Sequence, residues 1–264
     1  AARSEKSRNA PGEPLAVATL LSDDTDIEGY VQGAVALGAS LLDHLTLRAD
    51  KLFLVREGVR LPARAEHRLR AVGWHLRSVP TILPVRKTSW HFRHQFSKLA
   101  LWSFDNYSRI LYMDADTMAR GAVDPIFSAV FRDDQYVAGV RDFIAHHYQA
   151  SFNMGVSLLR PNRTEYERLL RLLREDSVTY PRKWAEQGFL QAVYPSFVDL
   201  PFEFNCNTAC EFQNPDLWGA GLPEMRVIHF TKCKPWRCDN STSKYCGRVD
   251  EWRAFLRRGD ELAR

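Results

Sequence analysis

From Leu15 to about residue 130, short apolar runs alternate with helix-patterned stretches, and this order constrains the fold more than any other feature of the chain. Leu15 to Leu21 (LAVATLL) is bounded by Pro14 and by Ser22-Asp23-Asp24 and reads as a buried strand. Tyr30 to Leu45 places apolar residues at 31, 34, 35, 37, 41, 42 and 45, the spacing of a helix. Lys51 to Val55 is a second strand, Pro62 to Val72 a helix with proline at its start, and His75 to Val79 a third strand. Pro80 to Arg93 reads as a loop, Gln95 to Phe104 as a helix and Arg109 to Asp114 as a fourth strand. This alternation predicts an α/β fold with a Rossmann-like, mostly parallel sheet flanked by helices. Further on, strands are expected at Tyr136 to Val140, Phe152 to Leu159 and Arg226 to Phe230. Helices are expected at Asp124-Pro125, Thr164 to Arg174, Glu186 to Val193 and Arg248 to Arg258.

Parallel sheets bind ligands at the carboxyl ends of their strands. Ser22-Asp23 follows the first strand, and Asp114-Ala115-Asp116 follows the apolar run Ile110 to Met113. If the chain stays extended there, Asp114 and Asp116 point the same way, ~6–7 Å apart, and offer hard oxygen ligands to a divalent cation or a cation carrying a diphosphate. Capping of the following turn explains either aspartate equally well. His229 ends the Arg226-Val227-Ile228 run and precedes Lys232 and Lys234, so a metal-ligand reading stands beside a structural one.

Phe152-Asn153-Met154-Gly155-Val156 sets an amide and a glycine in an apolar strand, the glycine allowing the close approach a sugar ring requires. Glu186-Gln187-Gly188 offers a carboxylate and an amide at a helix start, where a glutamate also suits the helix dipole. Gly33 and Gly38 lie inside a helix and lack the lysine of a phosphate loop, so they read as close-packing positions. His91 and His94 read as loop residues and His146-His147 receives no role, while Trp90 and Trp236 are candidates for stacking on a ring.

The 264 residues and 45% hydrophobic content suit a single domain over 15–264, preceded by a polar segment, 1–14, that reads as a disordered linker or stem remnant. A net charge of +4 does not argue for nucleic acid. No apolar run approaches the ~18–20 residues of a membrane span. The first residue is not Met, so a leader or membrane anchor upstream is one reading and a plain tail the other. Cys206, Cys210, Cys233, Cys238 and Cys246 cluster late in the chain, and Asn106, Asn162 and Asn240 begin glycosylation sequons. Together they favour the Golgi or secretory lumen; the alternative is a cytoplasmic protein with reduced thiols. An odd number of cysteines leaves at least one thiol unpaired within the chain. Zinc at Cys233, Cys238 and Cys246 is the lesser reading, because no CxxC knuckle is present.

In order, these pieces resemble glycosyltransferase family 8, the glycogenin and galactinol synthase relatives. The resemblance runs from about Val17 to Trp236. It includes Thr19-Leu20, Tyr30-x-x-Gly33-Ala34, Phe96-Ser97-Lys98-Leu99, and Tyr107 to Thr117. It continues through Phe152 to Val156, Glu186-Gln187-Gly188, Leu200-Pro201-Phe202 with Asn205, and His229-Phe230 with Lys234-Pro235-Trp236. The resemblance implies a GT-A fold and a retaining glycosyltransferase using a UDP-sugar donor and Mn2+, with Mg2+ as a substitute. By position, Asp114, Asp116 and His229 would hold the metal, with Ala115 between the aspartates on the donor. Leu20, Ser22, Asp23 and Tyr30 would border the uracil and ribose. Lys98 and Arg93 would approach the donor, and Lys234 the diphosphate. Asn153, Met154, Glu186 and Gln187 would contact the sugar, with Glu186, Gln187 and Lys98 as the catalytic candidates.

Three departures bear on specificity. Phe212 in Glu211-Phe212-Gln213 stands where glycogenin carries its self-glucosylated tyrosine, so the acceptor is expected to be a glycan or another molecule. Met154 replaces the usual serine and is expected to reshape the sugar pocket. Thr231-Lys232 replaces a glycine pattern near the phosphates. UDP-glucose and UDP-N-acetylglucosamine are the favoured donors. A non-catalytic nucleotide-sugar or glycan-binding module on the same fold is the first alternative, and a phosphotransferase or nucleotidyltransferase the second.

Overall fold

The computed structural model describes residues 13–86, 90–144, 147–221, 224–238 and 244–264. The strands are β1 (Leu15–Leu21), β2 (Asp50–Arg56), β3 (His75–Val79), β4 (Arg109–Met113), β5 (Thr117–Ala119), β6 (Val137–Ile144), β7 (His147–Leu159), β8 (Val198–Leu200), β9 (Cys206–Asn207) and β10 (Val227–His229). The α-helices are α1 (Ile27–His44), α2 (Ala63–Ala71), α3 (Arg163–Glu175), α4 (Ala185–Val193), α5 (Cys210–Gln213), α6 (Pro215–Gly221) and α7 (Val249–Leu262). A seven-stranded sheet runs in the order β3-β2-β1-β4-β7-β6-β8. The β3-β2-β1-β4 half is parallel, while β7 runs antiparallel to both β4 and β6. The expected mostly parallel α/β sheet is thus present, with its reversal at β7.

Period-two alternation divides the strand side chains between two cores. Val17, Leu21, Phe53, Leu111 and Met113 face the layer of α1 and α2, joined by Phe255 and Leu256 of α7. Ala16, Ala18, Leu20, Leu52, Leu54, Ile110 and Tyr112 face the opposite layer of α3, α4 and the helical run Trp90–Ser103. That run is wound as a 3₁₀ helix and begins inside the stretch expected to be a loop. Helix α1 begins three residues before the expected start, because the Asp26 carboxylate accepts from the Gly29 amide and caps it. Gly33 and Gly38 are close-packing positions: a Cβ at Gly33 would lie 2.4 Å from the Ala115 carbonyl oxygen, and one at Gly38 2.6 Å from Trp74 Nε1. Among the described residues no helix is long and apolar enough to cross a membrane.

A small second sheet, β5-β10-β9, crosses the carboxyl rim of the large one. Its register sets His229 opposite Thr117 on one side and Asn207 on the other. Residues that are far apart in sequence meet there, and this positions the site. The Trp90, His91 and His147 side chains, His146 and the Asn240 sequon lie outside what the structure describes. The three clustered sulfurs expected as a lesser zinc reading do converge, but Cys238 and Cys246 form a disulfide, which removes two thiolate ligands. Cys206, Cys210 and Cys233 are free thiols.

Candidate active site

Strand β4 stops at Met113, and Asp114 to Asp116 form a turn instead of continuing the strand. The Thr117 amide and hydroxyl both donate to the Asp114 carbonyl, at 3.0 and 2.7 Å. Strand alternation therefore does not align the two aspartates, as the extended reading assumed; the turn brings them together. His229 completes the group: its Nε2 lies 3.5 Å from Asp116 Oδ1 and 3.9 Å from Asp114 Oδ2. One ligand atom from each residue falls within 4.8 Å of the others. Lys234 closes the far side by ion-pairing with Asp116 Oδ2. Burial pushes the Asp116 carboxyl up, but the Lys234 ammonium outweighs it and holds the group well below the usual carboxylate range. For Lys234, burial opposes the charge and Asp116 outweighs it, so the ammonium is retained.

The donor set fits a divalent cation. The imidazole Nδ1 of His229 is 2.9 Å from Asn205 Oδ1, and Asn205 Nδ2 donates to Asn153 Oδ1 at 3.0 Å. With its amide nitrogen so engaged, Asn205 presents oxygen to the ring, which fixes the proton on Nδ1 and leaves the Nε2 lone pair facing the carboxylates. Two carboxylates and one imidazole form a mixed oxygen and nitrogen donor set for a divalent cation.

From Asn205 the hydrogen bonds continue toward β6 and α4. Asn153 Nδ2 donates to Asp142 Oδ1 at 3.2 Å, Gln187 Nε2 to Asp142 Oδ2 at 2.8 Å, and the Met154 amide to Gln187 Oε1 at 3.0 Å. Asp142 and Asn205 are buried, and the sequence reading gave neither a role. A carboxylate in the apolar strand Val137–Ile144 was the available signal for Asp142.

Lys98 lies almost fully buried between two carboxylates, 2.8 Å from Glu186 and 3.1 Å from Asp114. Burial opposes its charge, yet Asp114 and Glu186 raise its pKa well above the ordinary lysine value. The Tyr112 hydroxyl donates to Asp114 Oδ1 at 2.6 Å. Glu186 is pushed up by burial, with Lys98 pulling the other way. Its second oxygen accepts from the Gln95 amide at 2.8 Å once that amide is oriented to satisfy both groups. A cavity of about 270 Å³ opens between these groups and is lined by Lys98, Asp114, Asn153, Glu186, Gln187 and His229, with Phe92, Lys183 and Trp184 among the other wall residues.

Strand β7 divides its side chains by alternation. Asn153 and Gly155 face the cavity, whereas Met154 is buried in the core beneath the sheet. The expected reshaping of the sugar pocket by Met154 is therefore corrected: only its backbone amide takes part. Gly155 makes room for the imidazole, since a Cβ there would lie 2.1 Å from His229 Cε1. The close approach it allows is thus to a histidine, where the sequence reading assigned it to a sugar.

The remaining candidates sit around the end of β1. Leu20 points into the core, and Ala115 is buried with its carbonyl against Gly33, so neither offers a side chain to a donor. Ser22 is held through its carbonyl, which accepts from Arg56 Nε at 2.7 Å, and Asp23 caps the Thr25 amide at 3.0 Å. Arg93 does not line the cavity; its Nε donates to His94 Nε2 at 2.9 Å. Tyr30 lies against Trp236 with ring centroids 5.0 Å apart, and burial raises its hydroxyl pKa. Trp236 donates to Asp26 Oδ2 at 3.0 Å and packs on Gly29, so it clamps the Lys234 segment to α1.

A sheet reversing at β7, with paired aspartates and a histidine at its carboxyl rim, is the GT-A fold of solved glycosyltransferases. The chain belongs to glycosyl transferase family 8, whose match spans residues 28–240. It is 26% identical over 273 residues to galactinol synthase 1 of Ajuga reptans, covering 89% of this chain and 77% of that one. It is 26% identical over 219 residues to UDP-glucuronate:xylan alpha-glucuronosyltransferase 2 of Arabidopsis thaliana, covering 80% of this chain and 34% of that protein. The apo structure of the bifunctional glycosyltransferase WbbM shares the fold, with a TM-score of 0.72, 15% identity, and coverage of 95% of this chain and 51% of that one.

Proposed function

We propose that this chain is a retaining glycosyltransferase that takes its sugar from a UDP-linked donor, with Mn2+ or in its place Mg2+, and passes it to a glycan or small molecule other than itself. The observation that carries this reading is the meeting of Asp114, Asp116, His229 and Lys234 beside a cavity faced by Asn153 and Gln187. A bound divalent cation supplies Lewis-acid stabilisation of the departing diphosphate. Lys234 adds a preorganised positive charge at the same edge, and Tyr30 and Trp236 wall the nucleotide side. Lys98 keeps Glu186 and Asp114 at fixed positions, and Gln187, pinned at both ends of its amide, presents a rigid face to the sugar. Both oxygens of Glu186 are engaged, which supports an electrostatic and positioning role and same-face substitution over attack by this carboxylate.

Neutral hexose donors head the order of preference, UDP-glucose and UDP-N-acetylglucosamine first and UDP-galactose next. Among the described residues, the buried cation lining the cavity, Lys98, is already paired with two carboxylates. A uronate donor, the kind named for the xylan relative, would have to rely on the exposed Lys183 at the cavity wall. The Cys238–Cys246 disulfide supports a lumenal setting. The test is UDP release from a panel of UDP-sugars with Mn2+, with Mg2+ and with chelator, in the presence of oligosaccharide and polyol acceptors. Metal-dependent release from one donor is expected. No turnover of any UDP-sugar would overturn the reading.

A further inference from the structure

Three sulfurs meet one residue upstream of Lys234. Cys238 and Cys246 are joined as a disulfide, and the free thiol of Cys233 lies 3.4 Å from Cys238 Sγ and 3.3 Å from Cys246 Sγ. Sulfurs this close are within reach of one another, but attack on a disulfide runs in line with the S–S bond, so exchange requires the Cys233 side chain to swing from beside the bond to one end of it. The thiol lies side-on to the bond and almost equidistant from both sulfurs, so a swing of its side chain toward either end brings it in line with one of them. Cys233 is half-buried, whereas Cys238 and Cys246 are buried, which limits competing attack by solvent thiols on the bond itself.

We propose that Cys233, Cys238 and Cys246 form a thiol–disulfide exchange centre in which one disulfide migrates among three sulfurs. The Cys233 thiol gives up its proton, and the thiolate attacks Cys246 Sγ. The Cys233–Cys246 bond forms as the Cys238–Cys246 bond breaks, and the Cys238 sulfur leaves with the electron pair and takes up the proton. Attack at Cys238 Sγ is the mirror step and releases Cys246. One disulfide is broken and one made, so the exchange consumes no oxidant or reductant.

The position of the centre gives the exchange a structural consequence. The present bond spans 8 residues and leaves the Lys234 segment uncross-linked at its start. A Cys233–Cys238 bond would span 5 residues and close a ring around Lys234 and Trp236, and a Cys233–Cys246 bond would span 13. Lys234 pairs with Asp116, and Trp236 clamps the segment to α1. The migrating bond therefore determines how the segment that carries both side chains is tied. The sulfur chemistry is independent of donor identity and of turnover.

The test maps disulfides by mass spectrometry in C238S and C246S, each folded in a glutathione redox buffer, then acid-quenched and alkylated. C238S is expected to hold a Cys233–Cys246 bond, C246S a Cys233–Cys238 bond, and C233S the original Cys238–Cys246 bond. Two free thiols at the remaining positions in both C238S and C246S would overturn the proposal. If neither variant folds, the wild-type chain decides, after acid quenching, denaturation and alkylation. Label divided among the three cysteines supports exchange, and label on Cys233 alone overturns it.

Discussion

Replacing Gly155 with alanine tests the metal cage from behind. In an ordinary strand this change is favourable by about 0.5–1 kcal/mol, because glycine loses more backbone freedom on folding. Here the added Cβ would lie 2.1 Å from His229 Cε1, 2.8 Å from Nδ1 and 3.0 Å from Asn153 Oδ1. Carbon atoms in contact sit ~3.5–4.0 Å apart, so the imidazole must withdraw by about 1.4 Å or more. It has little room to do so: the ring is buried, its strand is pinned between β5 and β9, and Nδ1 is bonded to Asn205. Overpacking of this kind costs about 1–3 kcal/mol, so the sign of the stability change reverses. A displacement of ~1 Å at a reacting site can lower turnover by about 10²-fold. The assay is a pair of thermal melts, with and without Mn2+ and UDP, alongside UDP release from the preferred donor. Gly155→Ala is expected to melt cooperatively at a lower temperature, to lose most of the ligand-dependent rise in Tm, and to turn over about a hundredfold more slowly. A variant as stable as wild type, with its full Mn2+-dependent rise, would refute the argument that Gly155 exists to admit the His229 ring.

Asp116→Asn keeps the shape of the side chain but removes a charged ligand and the partner of Lys234, and should lower turnover by about 10²–10³-fold, with Mn2+-dependent UDP binding lost in calorimetry. Asn205→Leu removes the acceptor that fixes the His229 tautomer and should weaken cation affinity by about 10–100-fold, with the ring ¹⁵N shifts moving away from the Nδ1–H pattern. Lys51 carries a pH prediction: burial pushes its ammonium down to about 8, so between about pH 8 and its unfolded value near 10.5 the unfolded chain binds more protons and stability rises with pH. Lys51→Met should therefore raise Tm at pH 7, and its advantage should shrink across that window; an advantage that stays constant to pH 10.5 would contradict the assignment.

The large sheet was legible because its central strands β1 and β4 are buried on both faces and read as apolar runs, and because α1 carries an unambiguous helical period. The small sheet was not, because β5 and β9 span three and two residues and exist only through partners far along the chain. That same non-local pairing brings His229 to Asp116, so the family resemblance could name the ligands while local pattern could not show how they meet. Asp114 and Asp116 were identified as a pair with an incorrect geometry, since an extended-strand argument cannot see the turn that Thr117 closes. Met154 was misplaced for the opposite reason. Strand alternation, already used for the aspartates, assigns it to the core face once Asn153 is assigned to the cavity. The three late cysteines were visible as a cluster, but their spacing did not say which two would bond.

The polarity of the hydrogen bonds joining the Asp114, Asp116 and His229 cluster to the cavity indicates that the two are one device. His229 donates to Asn205, Asn205 to Asn153, Asn153 to Asp142; from the other end the Met154 amide donates to Gln187, and Gln187 to Asp142. Both series end on Asp142, whose carboxylate only accepts, so no amide in the chain can flip without setting donor against donor or acceptor against acceptor. Asp142 is buried 5% exposed and does not line the cavity, yet it fixes the amides that do. The tautomer that turns the His229 lone pair toward the aspartates and the orientation of the Gln187 amide at the cavity wall are therefore set by the same buried carboxylate. Changing Asp142 to asparagine would place an amide donor against either Asn153 or Gln187, and its effect should reach both ends: weaker cation binding at His229 and a weaker hold on the sugar at Gln187, in a protein whose nucleotide side, around Tyr30 and Trp236, is untouched.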